Sequence, residues 1–189
     1  MASLPDGEKV ALVGHSYGGF SISLAMERFP EKISVAVFLT AFMPYYTWPP
    51  AMILGAAFKS NPFMDLVLVN DSNHKPVSVH YGPQFLATKL YNDSPTKDLE
   101  LGKMLVRPTR FYVDDLVKNL LTEKNFGSVT RVFIISGDDQ MLPVHFQKYM
   151  IKYSPPKEVK HIAGSDHMVM ISKPFELYIS LQQIADKYN

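Results

Sequence analysis

Short apolar runs separated by helical segments dominate the beginning of the chain. Residues 10–13 form an apolar run without polar alternation, and a second such run covers residues 33–39. Runs of this kind are typical of strands that are buried on both faces of a parallel sheet. Between them, residues 20–29 have the composition of a helix that ends before Pro30. Residues 1–43 therefore predict one strand–turn–helix–strand unit of right-handed βαβ type.

The middle of the chain, residues 44–120, has a different pattern. Prolines at positions 44, 49 and 50 interrupt regular structure at its beginning. Two helices are predicted further on, near residues 83–91 and 95–105, and Ser94 is a candidate N-cap for the second. We interpret this stretch as an inserted, mostly helical cap.

The alternation of strands and helices resumes in residues 121–189. The pattern predicts two more strands and two more helices, namely strands at 131–135 and 159–162 and helices at 143–153 and 174–187. Strands that alternate with helices favour a parallel sheet covered by helices on both faces. We therefore expect one α/β domain in two parts, 1–43 and 121–189, with the cap inserted between them.

Composition narrows the classes of function. The 189 residues are 47% hydrophobic and 20% charged, and 19 basic side chains against 18 acidic ones give a net charge of +1. This balance gives no electrostatic reason to expect binding to nucleic acid or to an anionic membrane. The chain has no cysteine, which excludes disulfides, thiolate metal sites and thiol catalysis. Residues 1–10 contain no apolar segment of signal-peptide type, so we expect a cytoplasmic protein.

One short motif carries candidate chemistry. Gly14-His15-Ser16-Tyr17-Gly18 matches the pattern G-x-S-x-G, with a predicted strand before it and a predicted helix after it. The turn is sharp, and we expect a side chain at either glycine to obstruct the close approach of strand and helix. Such a turn presents the serine at the carboxyl end of the sheet, where open α/β folds bind ligands. Ser16 is therefore the candidate nucleophile.

A serine hydroxyl needs a base, and the position of the base can be predicted from chain order. In folds with this turn the order is serine, acid, histidine. Of the six histidines, only His167 follows the last predicted strand, whereas His15 lies on the turn itself, where we expect it to point away from a substrate. The acid should follow the preceding strand, where Asp138 and Asp139 both qualify. The residues alone leave that choice open.

Several segments resemble the plant methylesterase family. They are LVGHS at 12–16, LAME at 24–27, AVFL at 36–39, MP at 43–44, GSV at 127–129 and DHM at 166–168. The family includes salicylic-acid-binding-protein-type methylesterases, polyneuridine-aldehyde-type esterases and α-hydroxynitrile lyases. The resemblance runs from Glu8 to Asn189 and implies an α/β-hydrolase fold. In that family the acid lies four residues before a proline, and Asp139 with Pro143 fits this spacing.

The resemblance also implies an activity. It implies hydrolysis of methyl esters of small plant acids, such as methyl salicylate or methyl jasmonate, through an acyl-enzyme, without metal or organic cofactor. Ser16 would be the nucleophile, His167 the base and Asp139 the acid, and the backbone N–H of Tyr17 would stabilise the oxyanion. The side chains expected to line the acyl pocket are Phe42, Phe111 and Met168. Because members of the family are often dimers, a homodimer is also implied.

One departure from the family sets limits on this expectation. In the family, a strand and a His-Gly loop that supply a second oxyanion donor precede the nucleophile strand, and this chain begins just before that strand. We therefore expect residues 10–13 to form an exposed sheet edge. We also expect this chain to lack that donor, whose loss typically costs about 10²–10³ in rate.

Two alternatives to an esterase remain at this stage. The first is an α-hydroxynitrile lyase on the same residues. Some of these lyases carry a lysine directly after the catalytic histidine, and Met168 at that position favours the esterase. The second alternative is a non-catalytic hydrolase that binds a ligand without turning it over.

Overall fold

The helices and strands follow the predicted alternation. The computed structural model describes residues 1–60, 64–74, 76–118 and 120–188. The strands in these ranges are β1 (Val10–Ser16), β2 (Ile33–Ala41), β3 (Val67–Asn70), β4 (Pro76–His80), β5 (Thr109–Arg110), β6 (Arg131–Ser136) and β7 (Glu158–Ile162). The helices are α1 (Gly18–Arg28), α2 (Ala51–Ser60), α3 (Pro83–Phe85), α4 (Thr96–Leu105), α5 (Val113–Lys118), α6 (Val144–Tyr153), α7 (Val169–Ser172) and α8 (Pro174–Tyr188). A π-helical turn, Leu86–Leu90, continues α3. None of the helices in the described ranges is long and apolar enough to cross a membrane.

A four-stranded parallel sheet in the order β1-β2-β6-β7 is the centre of the fold. Alternate residues of the central strands point to opposite faces, as expected for extended backbone. Phe38 and Phe133 contribute to the hydrophobic core on one face. Val37 and Ile134 contribute to the core on the other, where Ile184 of α8 packs. The prediction of a parallel sheet covered by helices is confirmed.

Strand β1 forms one edge of this sheet and is not buried on both faces. Its residues alternate between partly buried and exposed positions, and Val13 is 47% exposed. The expectation of a fully buried first strand is therefore wrong, because β1 pairs with β2 on one side only within the described chain. The expectation that residues 10–13 form an exposed edge is confirmed.

Segment 44–120 contains more than the predicted helices. The helices expected at 83–91 and 95–105 are present, but β3, β4 and β5 form an additional antiparallel sheet. These strands are short, and β3 is exposed along its whole length although residues 67–69 are apolar. The proposed N-cap role of Ser94 is wrong, because the helix begins after Pro95 without a side-chain cap. The Ser94 hydroxyl instead donates a hydrogen bond to Asp166.

Crowding at the turn between β1 and α1 involves a glycine outside the pentapeptide. A Cβ at Gly14 would lie 2.8 Å from the carbonyl oxygen of Gly18, so the expected crowding is confirmed there. Apart from its chain neighbours and the backbone of its own helix, a Cβ at Gly18 would meet no described atom within 4 Å, and the expectation is wrong for that residue. A Cβ at Gly19 would lie 2.1 Å from the carbonyl oxygen of Phe42. Helix α1 therefore packs onto the end of β2 through Gly19.

This difference between neighbouring glycines gives a paired test of stability. We expect Gly19→Ala to lower the free energy of unfolding by at least about 2 kcal/mol, because the Phe42 backbone must move. We expect Gly18→Ala to change it by no more than about 1 kcal/mol, since the new methyl group enters open space. Urea unfolding of both variants measures the difference. Equal unfolding midpoints would show that the close approach at Gly19 does not constrain the fold.

Candidate active site

Ser16 lies at the sharp turn where β1 ends and α1 begins. Its φ of 52° is in the left-handed region, which non-glycine residues rarely adopt. The Ser16 carbonyl accepts a hydrogen bond from the Phe42 N–H at 3.0 Å, which fixes the turn against the end of β2. A strained backbone of this kind persists only where the surrounding structure determines it. The turn therefore has the geometry that the G-x-S-x-G pattern predicted.

His167 connects Ser16 to Asp139. Its Nε2 lies 2.8 Å from the Ser16 Oγ, and its Nδ1 lies 2.7 Å from an Asp139 carboxylate oxygen. The carboxylate is an acceptor, so Nδ1 carries the proton and Nε2 is free to accept the serine proton. The His167 side chain is 3% exposed. The three residues, which are far apart in the chain, thus form one continuous chain of hydrogen bonds.

The Asp139 carboxylate accepts hydrogen bonds at both oxygens. Its Oδ1 accepts from the backbone N–H groups of Met141 and Leu142, at 2.7 and 2.8 Å. Its Oδ2 accepts from His167 and from the Thr40 hydroxyl, at 2.7 and 2.5 Å. These donors hold a buried charge in one orientation, which an isolated buried carboxylate could not maintain. Asp138, by contrast, has an exposed side chain.

Thr40 is a member of this site that the sequence did not reveal. It is fully buried near the end of β2 and has a φ of 34°, an unusual value for a β-branched residue. Holding such a residue in the left-handed region costs on the order of 1–3 kcal/mol. In the sequence Thr40 is one residue in an apolar strand, with no motif around it.

Buried polar side chains join the loops that carry Asp139 and His167. The Ser136 Oγ lies 2.6 Å from the carbonyl oxygen of Asp166 and 2.8 Å from that of Ser165. The Gln147 amide donates to the Ser136 and Leu142 carbonyls, at 2.9 and 2.7 Å. All of these polar groups have partners, so the network makes the two loops rigid relative to each other.

His15 contacts His167 and does not point away from the site. Its Nε2 lies 2.7 Å from the His167 carbonyl oxygen, and the centres of the two rings are 4.9 Å apart. Burial, followed by the nearby charge of His167, lowers the pKa of His15 to about 4. The expectation for His15 is therefore wrong, because the turn directs this side chain back beneath the His167 loop. At neutral pH it is an uncharged donor to that carbonyl.

A pocket of about 440 Å³ opens above Ser16. The polar side chains that line it are His15, Ser16, Tyr81, Tyr91, Asp98 and His167. The walls are largely apolar and come both from segment 44–120 and from the loops of the sheet, including Leu86, Leu90, Leu101, Leu105, Met141, Met168 and Ile171. Pockets of this size and polarity are typical of sites for small organic ligands.

The three predicted pocket residues lie in different places. Met168 lines the pocket above Ser16. Phe111 lines a second cavity, of about 250 Å³, between α2 and α5. Phe42 is 2% exposed and stacks on Phe20, with ring centres 5.0 Å apart. The Tyr17 hydroxyl donates to the Phe111 carbonyl, and burial raises the pKa of Tyr17 to about 12.

A metal site would require several ligands close together. Within the residues that the structure describes, no group of three or more histidine, aspartate or glutamate side chains is arranged to hold a metal ion.

Comparisons with known proteins agree with this geometry. A family model described as "Alpha/beta hydrolase family" matches residues 1–181. Methylesterase 10 of Arabidopsis thaliana is 45% identical to all of this chain, which covers 71% of that protein. Methyl jasmonate esterase 1 of Vitis vinifera is 43% identical over the whole chain, which covers 75% of that protein.

A solved structure extends the likeness to three dimensions. The crystal structure of polyneuridine aldehyde esterase matches 97% of this chain with a TM-score of 0.91 and 39% sequence identity, and the match covers 74% of that protein. The sheet order, the serine turn and the sequence relatives agree. The chain therefore belongs to the plant methylesterase family of α/β-hydrolases.

Proposed function

We propose that this protein is a serine carboxylesterase that hydrolyses methyl esters of small organic acids. The observation that carries the proposal is the chain of hydrogen bonds from Ser16 through His167 to Asp139, at the base of a largely apolar pocket. The similarity to Methylesterase 10 and to polyneuridine aldehyde esterase supports esters as the substrate class.

In the first half of the proposed reaction, the Ser16 Oγ attacks the ester carbonyl. His167 Nε2 takes the serine proton, and the Asp139 carboxylate stabilises the imidazolium that forms. The backbone N–H of Tyr17 stabilises the negative oxygen of the tetrahedral intermediate. When the intermediate collapses, the bond between the carbonyl carbon and the methoxy oxygen breaks. His167 gives its proton to the leaving oxygen, which departs as methanol and leaves an acyl group on Ser16.

Water completes the cycle. It attacks the acyl carbon while His167 Nε2 takes a proton from it, and a second tetrahedral intermediate forms. Collapse of this intermediate breaks the bond to Ser16 Oγ, which recovers its proton from His167. The free acid leaves the pocket. His167 Nε2 thus makes four proton transfers in the cycle: the first and the last follow its hydrogen bond to Ser16, and the other two run to the methoxy oxygen and from water.

The lining of the pocket favours an ester with an apolar acyl group. Its leucine, isoleucine and methionine walls suit an aromatic or alicyclic acid, as in methyl salicylate or methyl jasmonate. Similarity to the Vitis vinifera methyl jasmonate esterase supports the second of these. Met168 directly follows His167, at the position where some lyases carry a lysine, and this favours ester hydrolysis over cyanohydrin cleavage.

Loss of the nucleophile is the first test of the proposal. Wild-type protein is expected to hydrolyse p-nitrophenyl acetate and at least one of methyl salicylate and methyl jasmonate. We expect Ser16→Ala to lower kcat by at least about 10³-fold, because no acyl-enzyme can form. Release of p-nitrophenol measures the hydrolysis of p-nitrophenyl acetate by wild type and variant, and release of the free acid measures the hydrolysis of the methyl esters. Folded wild-type protein that binds these esters without turnover, or that cleaves only mandelonitrile, would contradict the proposal.

The two neighbouring aspartates provide a matched pair. We expect Asp139→Asn to lower kcat by about 10³–10⁴-fold, because an amide no longer fixes the His167 tautomer. Asp138→Asn should stay within about twofold of wild type, since the Asp138 side chain is exposed. Steady-state kinetics with p-nitrophenyl acetate compare the variants, and circular dichroism checks that both fold. Similar losses in the two variants would argue against Asp139 as the acid.

The lowered pKa of His15 predicts a dependence of stability on pH. The unfolded chain binds a proton at His15 below about pH 6.5, whereas the folded chain does so only near pH 4, so acid favours unfolding between these values. We expect this residue alone to remove about 2 kcal/mol of stability between pH 7 and pH 5. Urea unfolding of wild type and His15→Asn at both values measures the difference. The same loss in both proteins would show that His15 is not its source.

A further inference from the structure

Asp166 is a buried carboxylate that the proposed reaction does not use. It directly precedes His167 in the chain and is 0% exposed. A buried carboxylate is costly unless hydrogen bonds compensate for the loss of water. The contacts of Asp166 therefore indicate what its charge does in this protein.

The two oxygens of Asp166 contact different parts of the molecule. Oδ1 accepts a hydrogen bond from the Met168 N–H at 3.0 Å, within the loop that carries His167. Oδ2 accepts from the Ser94 hydroxyl at 2.7 Å and from the Asp93 N–H at 3.1 Å, both in segment 44–120. One carboxylate thus connects the His167 loop to the segment that forms a wall of the pocket.

A second contact beside it extends this connection to the Asp139 loop. The Asn92 side-chain amide donates to the Asp138 carbonyl at 3.1 Å and to the Asp93 carboxylate at 2.7 Å. Residues 92–94 therefore reach the loops of both His167 and Asp139. We call residues 92–94 together with Asp166 the wall anchor.

The wall anchor lies between the two elements that line the pocket from above. The π-helical turn Leu86–Leu90 precedes it and is closed by a hydrogen bond from the Tyr91 N–H to the Leu86 carbonyl at 2.9 Å. Helix α4 follows it and supplies Leu101 and Leu105 to the pocket. Turns of π type inside helices are rare and are frequent at functional sites.

Tyr91 makes the two wall elements one unit. Its ring packs against Gly102 so closely that a Cβ there would lie 2.9 Å from the Tyr91 Cζ. Burial, together with the charge of Asp166, raises the pKa of the Tyr91 hydroxyl. The carboxylate of Asp166 therefore also interacts electrostatically with Tyr91, which packs against both parts of the pocket wall.

We propose that Asp166 is a positioning residue that sets the distance between the pocket wall and the Ser16–His167 pair through its hydrogen bonds to Ser94 and Asp93. It does not touch the substrate. The acyl group would rest on the wall, so the Ser94–Asp166 bond determines how tightly an ester that fills the pocket is bound beside Ser16. This inference rests on the proposed function for its kinetic consequences and on the contacts alone for its structural ones.

Ser94 provides the sharpest kinetic test. With a methyl ester that fills the pocket, such as methyl jasmonate, we expect Ser94→Ala to raise KM about 10-fold, the effect of one lost hydrogen bond to a charge, and to change kcat less than about twofold. Ser94→Thr keeps the hydroxyl and should retain the wild-type KM. Ser128→Ala is the control, because it removes an exposed hydroxyl that bonds to the Asn125 carbonyl outside segment 44–120.

A small reagent tests the reactivity of Ser16 independently of the pocket wall. Diethyl p-nitrophenyl phosphate phosphorylates an activated serine with little need for the wall, so Ser94→Ala and wild type should react at equal rates. A raised KM with an unchanged rate of phosphorylation supports the proposal. A fall in both the phosphorylation rate and kcat, or a KM equal to that of wild type, overturns it.

A measurement independent of activity distinguishes this proposal from the proposed function. Hydrogen–deuterium exchange of peptides covering residues 86–105 should be faster in Ser94→Ala than in Ser128→Ala. If wild type hydrolyses no ester, the proposed function fails, and faster exchange in Ser94→Ala still supports the anchor. If esters are hydrolysed but exchange and KM are unchanged in Ser94→Ala, the anchor is overturned and the proposed function stands.

Discussion

The carboxylate of Asp139 is the group around which the candidate active site is built. It has almost no contact with water, so its charge is tolerated only because Thr40, His167 and two backbone N–H groups donate to it. Each donor comes from a particular element: the end of β2, the loop after β7, and the turn before α6. The carboxylate thus fixes where three separate parts of the chain meet. The unusual backbone of Thr40 is consistent with this, because the hydrogen bond offsets part of the cost of a left-handed threonine.

The sequence predicted the parts of the site that depend on chain order and local pattern. Apolar runs predicted the central strands β2 and β6, and the pentapeptide around Ser16 predicted the sharp turn between β1 and α1. His167 could be selected because it follows the last strand of the sheet, a position that does not depend on side-chain packing. Asp138 and Asp139 could not be separated in this way. They differ by one residue, and only the direction of the turn decides which side chain faces the histidine.

The residues that the sequence did not reveal act through contacts between distant segments. Thr40, His15 and Asp166 have no local signal, because a threonine in a strand or an aspartate in a loop has the same pattern whether or not it is buried. The error at Ser94 has the same cause. A serine before a helix satisfies the rule for an N-cap, in which its oxygen accepts a hydrogen bond from a backbone N–H. Here the Ser94 hydroxyl instead donates to the buried carboxylate of Asp166, and a hydrogen bond to a charged group is the stronger of the two. The strands β3 to β5 were not predicted, although residues 67–69 are an apolar run, because they are only two to five residues long and lie in a segment that we interpreted as mostly helical.

The hydrogen bonds of Asp166 are separate from those of Asp139. In the two proposals, the first set positions the pocket wall and the second set serves the reaction. In the proposed reaction, Ser16 and His167 exchange a proton without a contact from segment 44–120, since the hydrogen bonds that join Ser16, His167 and Asp139 lie in the loops of the parallel sheet. A bound ester, however, would rest against the wall formed by Leu86, Leu90 and α4. Asp166 is adjacent to His167 and contacts that wall, so the two halves of the site share one rigid loop. Within this arrangement, the wall residues can change shape and size without disturbing the proton path, provided that the loop between them keeps both sets of hydrogen bonds. If both proposals hold, substrate choice and reaction chemistry depend on different residues, which are connected through the carboxylate of Asp166.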